Sequence, residues 1–178
     1  IRRIAGGKTS IAAGPGLGNT RGVYKLMEMM VKEMEAPLVI DADGLNAFIG
    51  RVPLLKGAKS TIVLTPHPGE AARLLEVKPS EIQGDRIGAA KTLAAMSGAT
   101  VVLKGASTVI AAPEGDIYIN PTGNPGLSTA GTGDVLAGMI GGLMAQGCLP
   151  VIAACAAAYM HGLAADKIKE ERGEAGMM

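Results

Sequence analysis

SIAAGPGLGNTRGVYKLMEMMVKEMEAPLVIDAD, residues 10–43, sets the fold class. Residues 10–14 are a short apolar run that ends in GPGLG, residues 23–35 carry apolar side chains at helical spacing, and residues 37–43 are a second apolar run that ends in acids. Strand, turn, helix and strand in that order are the pattern of a parallel sheet covered by helices. The alternation continues outward. TIVLTPH (61–67) predicts a third strand, after which Pro66, Pro68 and Gly69 force a turn before the helix EAARLLE (70–76). Ser80 followed by Gln83 predicts a capping box opening a helix that runs to about Ser97 and stops at Gly98. TVVLKG (100–105) is a fourth strand, and TVIAAP (108–113) with DIYIN (116–120) predict a hairpin appended to it. A glycine-rich stretch, 121–134, then leads into helices near 134–146 and 150–170. No repeat, charge run or linker divides the chain, so residues 1–178 are read as a single α/β domain.

Composition narrows the function. Seventeen Lys and Arg against sixteen Asp and Glu leave a formal charge of +1, too balanced to attract a nucleic acid or an anionic membrane surface. Three Tyr, one Phe and no Trp leave little on which single-stranded bases could stack. Glycine supplies 26 of 178 residues, roughly twice ordinary usage, without a collagen period, which points to tight turns and backbone brought close to a ligand. Cys148 and Cys155 lie in an apolar stretch at a spacing that suggests neither a metal site nor a disulfide framework, and they are read as reduced core thiols of a cytoplasmic protein. No charged residue falls between Asp134 and Asp166, but Gly141, Gly142, Gly147 and Pro150 interrupt that stretch, so two short buried helices are expected rather than a membrane span. The start, IRRIAGGKTS, has no apolar run of signal-peptide length, and its first residue is Ile, so the chain reads as amino-terminally short.

In open α/β sheets the ligand site lies outside the carboxyl ends of the strands. That directs attention to GPGLG (14–18), DADGLN (41–46), TPHPGE (65–70), KGAST (104–108) and TGNPGLSTAGTGD (122–134). Three resemblances fail here. GGKTS (6–10) lacks the upstream glycine of a P-loop and precedes a strand, GPGLGN has Asn19 where a dinucleotide fingerprint needs its third glycine, and DADGLN has its glycine too early for a calcium loop.

TAGTGD (129–134) is different. Gly131 and Gly133 let backbone N–H groups converge at the positive end of a helix, an anion hole for phosphate. Asp134 beside it could accept a proton from a hydroxyl attacking phosphorus, or could be an N-cap only. Lys104 to Thr108 would offer one cation, hydroxyls and close backbone approach to a nucleotide phosphate, or form a plain β-turn. His67 is fixed between prolines, with Glu70 three residues on as a helix-start carboxylate. Asp41, Asp43 and Asn46 could orient water, Mg²⁺ or ribose, or cap the next helix.

Together, GPGLG, DADGLN, TPHPGE, KGAST and GNPGLSTAGTGDVLAG (123–138) strongly resemble the nucleotide-dependent NAD(P)H-hydrate dehydratases of the ribokinase-like superfamily, over residues 11 to about 165. TAGTGD alone marks only the superfamily; GNPG with TPHPGE is more specific to the dehydratases. The resemblance implies a ribokinase-like three-layer α/β/α fold with a mostly parallel central sheet, here lacking the amino-terminal part that members usually carry before GPGLG. It implies repair of hydrated NADH or NADPH to the normal cofactor, with ADP (or ATP) consumed to AMP and phosphate and Mg²⁺ assisting. By that match Lys104, Gly105, Ala106, Ser107 and Thr108 hold the nucleotide, with the backbone of Asn124, Pro125, Gly126, Leu127, Ser128, Thr129, Ala130, Gly131, Thr132 and Gly133. Gly16, Gly18, Asp43, Asn46 and His67 are expected substrate contacts, and Asp134 the base. Leu127 and Ala130 replace a Met and a Gly that the family more often has. A homo-oligomer, with a tetramer as one form, is expected from the family. The competing classes are a superfamily kinase phosphorylating a thiazole or pyrimidine alcohol, which would release a phosphorylated product, and a nucleotide binder without turnover.

Overall fold

The computed structural model describes residues 5–173. Strand β1 (Ile11–Ala13) leads to helix α1 (Arg21–Glu33), then β2 (Leu38–Ile40), the single helical turn α2 (Asp43–Asn46), a 3-10 segment (Val52–Gly57) and β3 (Ile62–Leu64). Helices α3 (Pro68–Leu75), α4 (Pro79–Gly84) and α5 (Arg86–Ser97) follow, then strands β4 (Thr100–Leu103), β5 (Val109–Ala111) and β6 (Ile117–Ile119). A 3-10 turn (Pro125–Ser128) precedes α6 (Thr132–Ala145) and α7 (Pro150–Arg172). The six described strands lie side by side in chain order, with β1 to β4 parallel and β4–β5 and β5–β6 antiparallel. Two reversals make β6 run with β4, so the chain leaves β1, β2, β3, β4 and β6 at the same edge of the sheet.

Strands β2 to β5 are buried on both faces, which explains their unbroken apolar runs, whereas the edge strands β1 and β6 are partly exposed. Side chains alternate across the pleat. Leu38, Ile40, Ile62, Leu64, Val101, Leu103, Val109 and Ala111 face a core shared with α1, α3 and α5. Val39, Val63, Val102 and Ile110 face the opposite core, filled from α6 by Leu136, Ala137, Ile140 and Met144 and from α7 by Ala153, Ala154, Ala157 and Ala158. The alternation therefore builds three layers, with the expected hairpin at β5 and β6. The strands are shorter than the apolar runs, because each chain turns away at the residues that form the site.

Helix starts follow capping chemistry. Thr20 Oγ1 accepts the Val23 N–H at 3.3 Å and opens α1 two residues before the apolar repeat begins. The expected Ser80–Gln83 box is absent. Pro79 takes the first helical position of α4, Glu81 accepts the Lys78 N–H at 2.8 Å, and the helix ends at Gly84. Asp85 then caps a separate helix, α5, by accepting the Gly88 N–H at 2.7 Å. Gly98 closes α5 in the left-handed conformation (φ 67°), where glycine carries no Cβ penalty.

The two carboxyl-terminal helices fall close to the expected 134–146 and 150–170, but the second is not short. α7 has 23 residues, because nothing interrupts it between Pro150 and Gly173, and it is long and apolar enough by length and composition to cross a membrane. Its alanine face is packed on the sheet, while Ile152, Tyr159 and Met160 are exposed. Cys148 and Cys155 are free, but half-buried against this core rather than enclosed in it, and burial pushes the Cys155 thiol upward.

Candidate active site

The amino terminus of α6 lies at the strand-exit edge. Its N-cap is Gly131 (φ 91°), and no side chain caps the first turn. The neighbouring hydroxyls are turned inward. Thr132 Oγ1 has its single proton within reach of the carbonyls of Leu127 (2.6 Å) and Thr129 (2.9 Å), and Thr129 Oγ1 donates to that of Gly126 (2.9 Å). The loop is thus held by its own side chains and by the Thr132 N–H on the Thr129 carbonyl at 3.4 Å, and the Gly133 and Asp134 amides are left for an anion at the positive pole of the helix. Asp134 stands exposed in that turn.

Across from this turn, Lys104 Nζ is 2.7 Å from Asp41 Oδ1. Asp41 is 2% exposed, so its charge is matched almost entirely by that ammonium. A Cβ placed on Gly133 would sit 3.4 Å from Lys104 Nζ and 3.7 Å from Asp41 Oδ2. The ends of β2 and β4 and the start of α6 therefore converge on one point that joins backbone donors, a cation and the adjacent Asp134 carboxylate. Such a set can bind phosphate, stabilise charge on a transferring phosphoryl group and take up a proton.

The KGAST turn is supported from below. Arg86 donates to the carbonyls of Leu103 (3.1 Å) and Lys104 (3.4 Å) from the first residue of α5, and burial lowers its guanidinium pKa. Gly105 suits this turn because φ 142° strains any residue with a side chain, and a Cβ would also meet that guanidinium at 2.6 Å and displace it. Thr108 Oγ1 closes the turn on the Gly105 carbonyl at 3.1 Å, and Ser107 is left exposed at φ 53°.

A second cluster joins GPGLG to DADGLN. The Gly18 N–H donates to Asp43 Oδ2 at 2.7 Å, and Asn46 Nδ2 donates to Asn19 Oδ1 at 3.0 Å. Arg73, on α3, donates through Nε to Asn46 Oδ1 at 3.3 Å. A Cβ on Gly14 would overlap the Asp41 carbonyl, so the two loops can meet only with glycine there. Between the two acids, Ala42 takes φ 46°, a strained backbone for a residue with a side chain. Gly16 (φ 70°) lies at an open turn.

His67 caps α3. Its Nδ1 accepts from the N–H groups of Gly69 (3.0 Å) and Glu70 (3.4 Å), while Glu70 Oε2 accepts the His67 N–H at 2.7 Å. Because Nδ1 is an acceptor, the proton of the neutral ring is on Nε2, 3.5 Å from Glu70 Oε1. About half of the ring side chain is exposed at the strand-exit edge. Nδ1 is committed to the cap, so contact with a ligand would fall to the Nε2 edge.

The loop before α6 is tied to α7. Asp166 accepts from the Gly123 N–H at 2.8 Å and from Asn124 Nδ2 at 3.0 Å, and these two bonds hold its carboxyl below the ordinary range. Asn124 Oδ1 accepts the Gly126 N–H at 3.1 Å, and the Asn124 carbonyl accepts the Leu127 N–H at 3.1 Å. Asn120 and Thr122 donate to the α7 carbonyls of Ala158 (3.3 Å) and Tyr159 (2.9 Å). Thr122 crosses α7 where Gly162 has no side chain.

Sequence reasoning placed Lys104, Gly133 and Asp134 correctly at one edge but passed over Asp41 as a partner, and did not single out Arg73, Arg86 or Asp166. The sequence marks Asp41 as an acid ending a strand, able to orient water, Mg²⁺ or ribose, but not as the counter-charge of Lys104. The other three occupy ordinary helical positions and carried no local signal.

This three-layer fold, with loops gathered at one sheet edge around an uncapped helix terminus, defines a ribokinase-like domain. The chain belongs to the NAD(P)H-hydrate dehydratase family, whose model matches residues 5–178. It is 48% identical to a bifunctional NAD(P)H-hydrate repair enzyme from Moorella thermoacetica over 94% of this chain and 32% of that protein. It is also 48% identical to an ADP-dependent (S)-NAD(P)H-hydrate dehydratase from Neisseria meningitidis, over 90% of this chain and 55% of that one. The chain thus spans about a third and about half of these relatives. The ADP/ATP-dependent dehydratase of Bacillus subtilis, crystallised with ATP and Mg²⁺, superposes with a TM-score of 0.81 at 34% identity, covering 99% of this chain and 67% of that one.

Proposed function

We propose that the chain carries the nucleotide-dependent dehydration of hydrated NADH and NADPH, restoring the reduced cofactor while ADP is split to AMP and phosphate. The observation that carries this reading is the meeting of Lys104, Asp41 and Gly133 beside Asp134, at the edge where KGAST, GPGLG and TPHPGE also end. The whole of residues 1–178 acts as one catalytic domain in this reading.

Lys104 to Thr108 and the backbone of Asn124 to Gly133 bind the nucleotide phosphates. Gly16, Gly18, Asp43, Asn46 and His67 border the hydrated ring. Asp134 takes the proton of the ring hydroxyl as its oxygen accepts the terminal phosphoryl group of ADP, which leaves AMP. The ring-nitrogen lone pair then breaks the carbon–oxygen bond, phosphate departs with both bonding electrons, and loss of a proton from the adjacent ring carbon restores the double bond.

Among the described residues no group of three His, Cys, Asp or Glu could cage a metal ion. This fits Mg²⁺ carried by the phosphate oxygens of the nucleotide, where it offsets their charge, with Asp134 as the nearby exposed carboxylate. The apolar exposure of Val135, Ile152, Tyr159 and Met160 supports a homo-oligomer, of which a tetramer is one form. Two free thiols support a cytoplasmic setting.

The test is recovery of the near-ultraviolet absorbance of reduced nicotinamide when the protein is mixed with hydrated NADH, Mg²⁺ and either ADP or ATP. Recovery that needs one nucleotide identifies both reaction and donor. Release of a phosphorylated substrate without NADH would replace this reading with a kinase.

A further inference from the structure

We propose that a basic groove between α1 and the turn after α2 holds phosphate groups on the dinucleotide tail of the substrate. The groove encloses about 560 Å³, within the range of small-molecule sites, and Arg21, Tyr24, Lys25, Glu28, Asn46 and Arg51 line it. The identity of this ligand rests on the function proposed above.

The charge arrangement is the first argument. Glu28, the acid among these lining residues, is already bound by Lys32 at 2.8 Å and lies 3.7 Å from Arg51. Arg51 is fixed by donating to the Ala47 carbonyl at 2.6 Å. The Arg21 and Lys25 side chains are exposed and make no hydrogen bond or ion pair among the described residues. They sit one turn apart on the same helix face, where like charges repel. Arg21 also occupies the first helical position of α1, the positive pole, and no acid stands in that turn. Two cations are thus held together against local electrostatics, and an anion between them would relieve that cost.

Position is the second argument. Asn46 lines the groove and bonds to Asn19, whose neighbour Gly18 bonds to Asp43. The groove therefore opens directly beside the loops assigned to the hydrated ring. A dinucleotide whose ring enters there must lay its remaining, phosphate-bearing part outside, and the free cations flank that exit. Tyr24 adds an amphipathic wall suited to sugar or base.

The experiment compares wild type with Arg21→Glu/Lys25→Glu and the milder Arg21→Gln/Lys25→Gln, each confirmed folded by thermal melting. Affinities for NADPH and NADH are read from nicotinamide fluorescence, and kcat and KM from dehydration of both hydrated forms. Charge reversal is expected to raise KM and the dissociation constant roughly 10-fold or more, with kcat within about 2-fold and the neutral pair falling between. Weakening of NADPH alone places the 2′-phosphate in the groove; equal weakening of both places the pyrophosphate there. Wild-type turnover with KM unchanged in both variants overturns the groove and leaves the function intact. Dinucleotide binding that depends on Arg21 and Lys25 without turnover keeps the groove and overturns the function. Neither binding nor turnover by wild type overturns both.

Discussion

Lys104 and Asp41, 63 residues apart in sequence, meet as a 2.7 Å ion pair that joins β4 to β2 directly below the first turn of α6. The Asp41 carboxylate is out of solvent and the ammonium is partly exposed, so the pair links the interior of the sheet to its ligand-facing edge. Its predicted consequences separate stability from chemistry.

Lys104→Met leaves a buried carboxylate without its counter-charge and should cost about 3 kcal/mol of folding stability. Asp41→Asn removes that problem, so the double variant should be more stable than the sum of the single losses implies. Urea unfolding of all four proteins measures the coupling, and strictly additive losses would show that the pair carries no interaction energy.

Two glycines at the same edge should respond in opposite ways. Gly14→Ala forces a Cβ onto the Asp41 carbonyl at φ 140°, with no flexible side chain to yield, and is expected to lose about 3 kcal/mol or more. Gly133→Ala meets Lys104 Nζ at 3.4 Å, and the ammonium can shift, so stability should stay within about 1 kcal/mol. Its cost should fall instead on nucleotide affinity, because the methyl group sits where phosphate approaches the helix terminus. Thermal melts and nucleotide titration of the two variants distinguish these outcomes.

Asp134 is exposed in the first turn of α6, so Asp134→Asn should change stability by no more than about 1 kcal/mol, the scale of a lost carboxylate at a helix dipole. Turnover should fall roughly 100-fold or more if the carboxylate is the proton acceptor, while nucleotide binding persists. Near-wild-type recovery of NADH in this variant would remove Asp134 from the chemistry.

The parts of this arrangement that follow local rules were legible in the sequence. Apolar runs interrupted by helical spacing gave the parallel sheet, and GPGLG, DADGLN, TPHPGE and KGAST marked the ends of β1 to β4 because chain reversals need Gly, Pro and Asp. The two-layer division of the core was not legible. In PLVI and TIVL both faces are apolar, so no polar alternation tells Val39 and Val63 from Leu38 and Leu64. The break at Asp85 was missed because Ser80 and Gln83 match a capping box, whereas Pro79 and Gly84 decide where that turn begins and ends. The Lys104–Asp41 pair, the Arg86 support under KGAST and the Asp166 anchor are long-range contacts, and no window of sequence contains both partners.

The Asp166 anchor makes the loop before α6 sensitive to acid. The Gly123 N–H, then the Asn124 amide, stabilise the carboxylate, so its folded pKa lies below its unfolded value. A depressed folded pKa means that the unfolded chain binds the proton more readily, so the stabilising contribution is fully present above the ordinary aspartate range. It is lost as pH falls through the folded value. Asp166→Asn cannot gain or lose this contribution. Its melting temperature should therefore lie below that of wild type near neutral pH, and the gap should close in acid. Because the bonds fix Gly123 and Asn124, which begin the phosphate-facing loop, the same variant should also bind nucleotide more weakly at neutral pH. Paired melting curves from neutral to acidic pH, with and without nucleotide, measure both effects, and a pH-independent gap would mean that the Asp166 charge does not hold the loop.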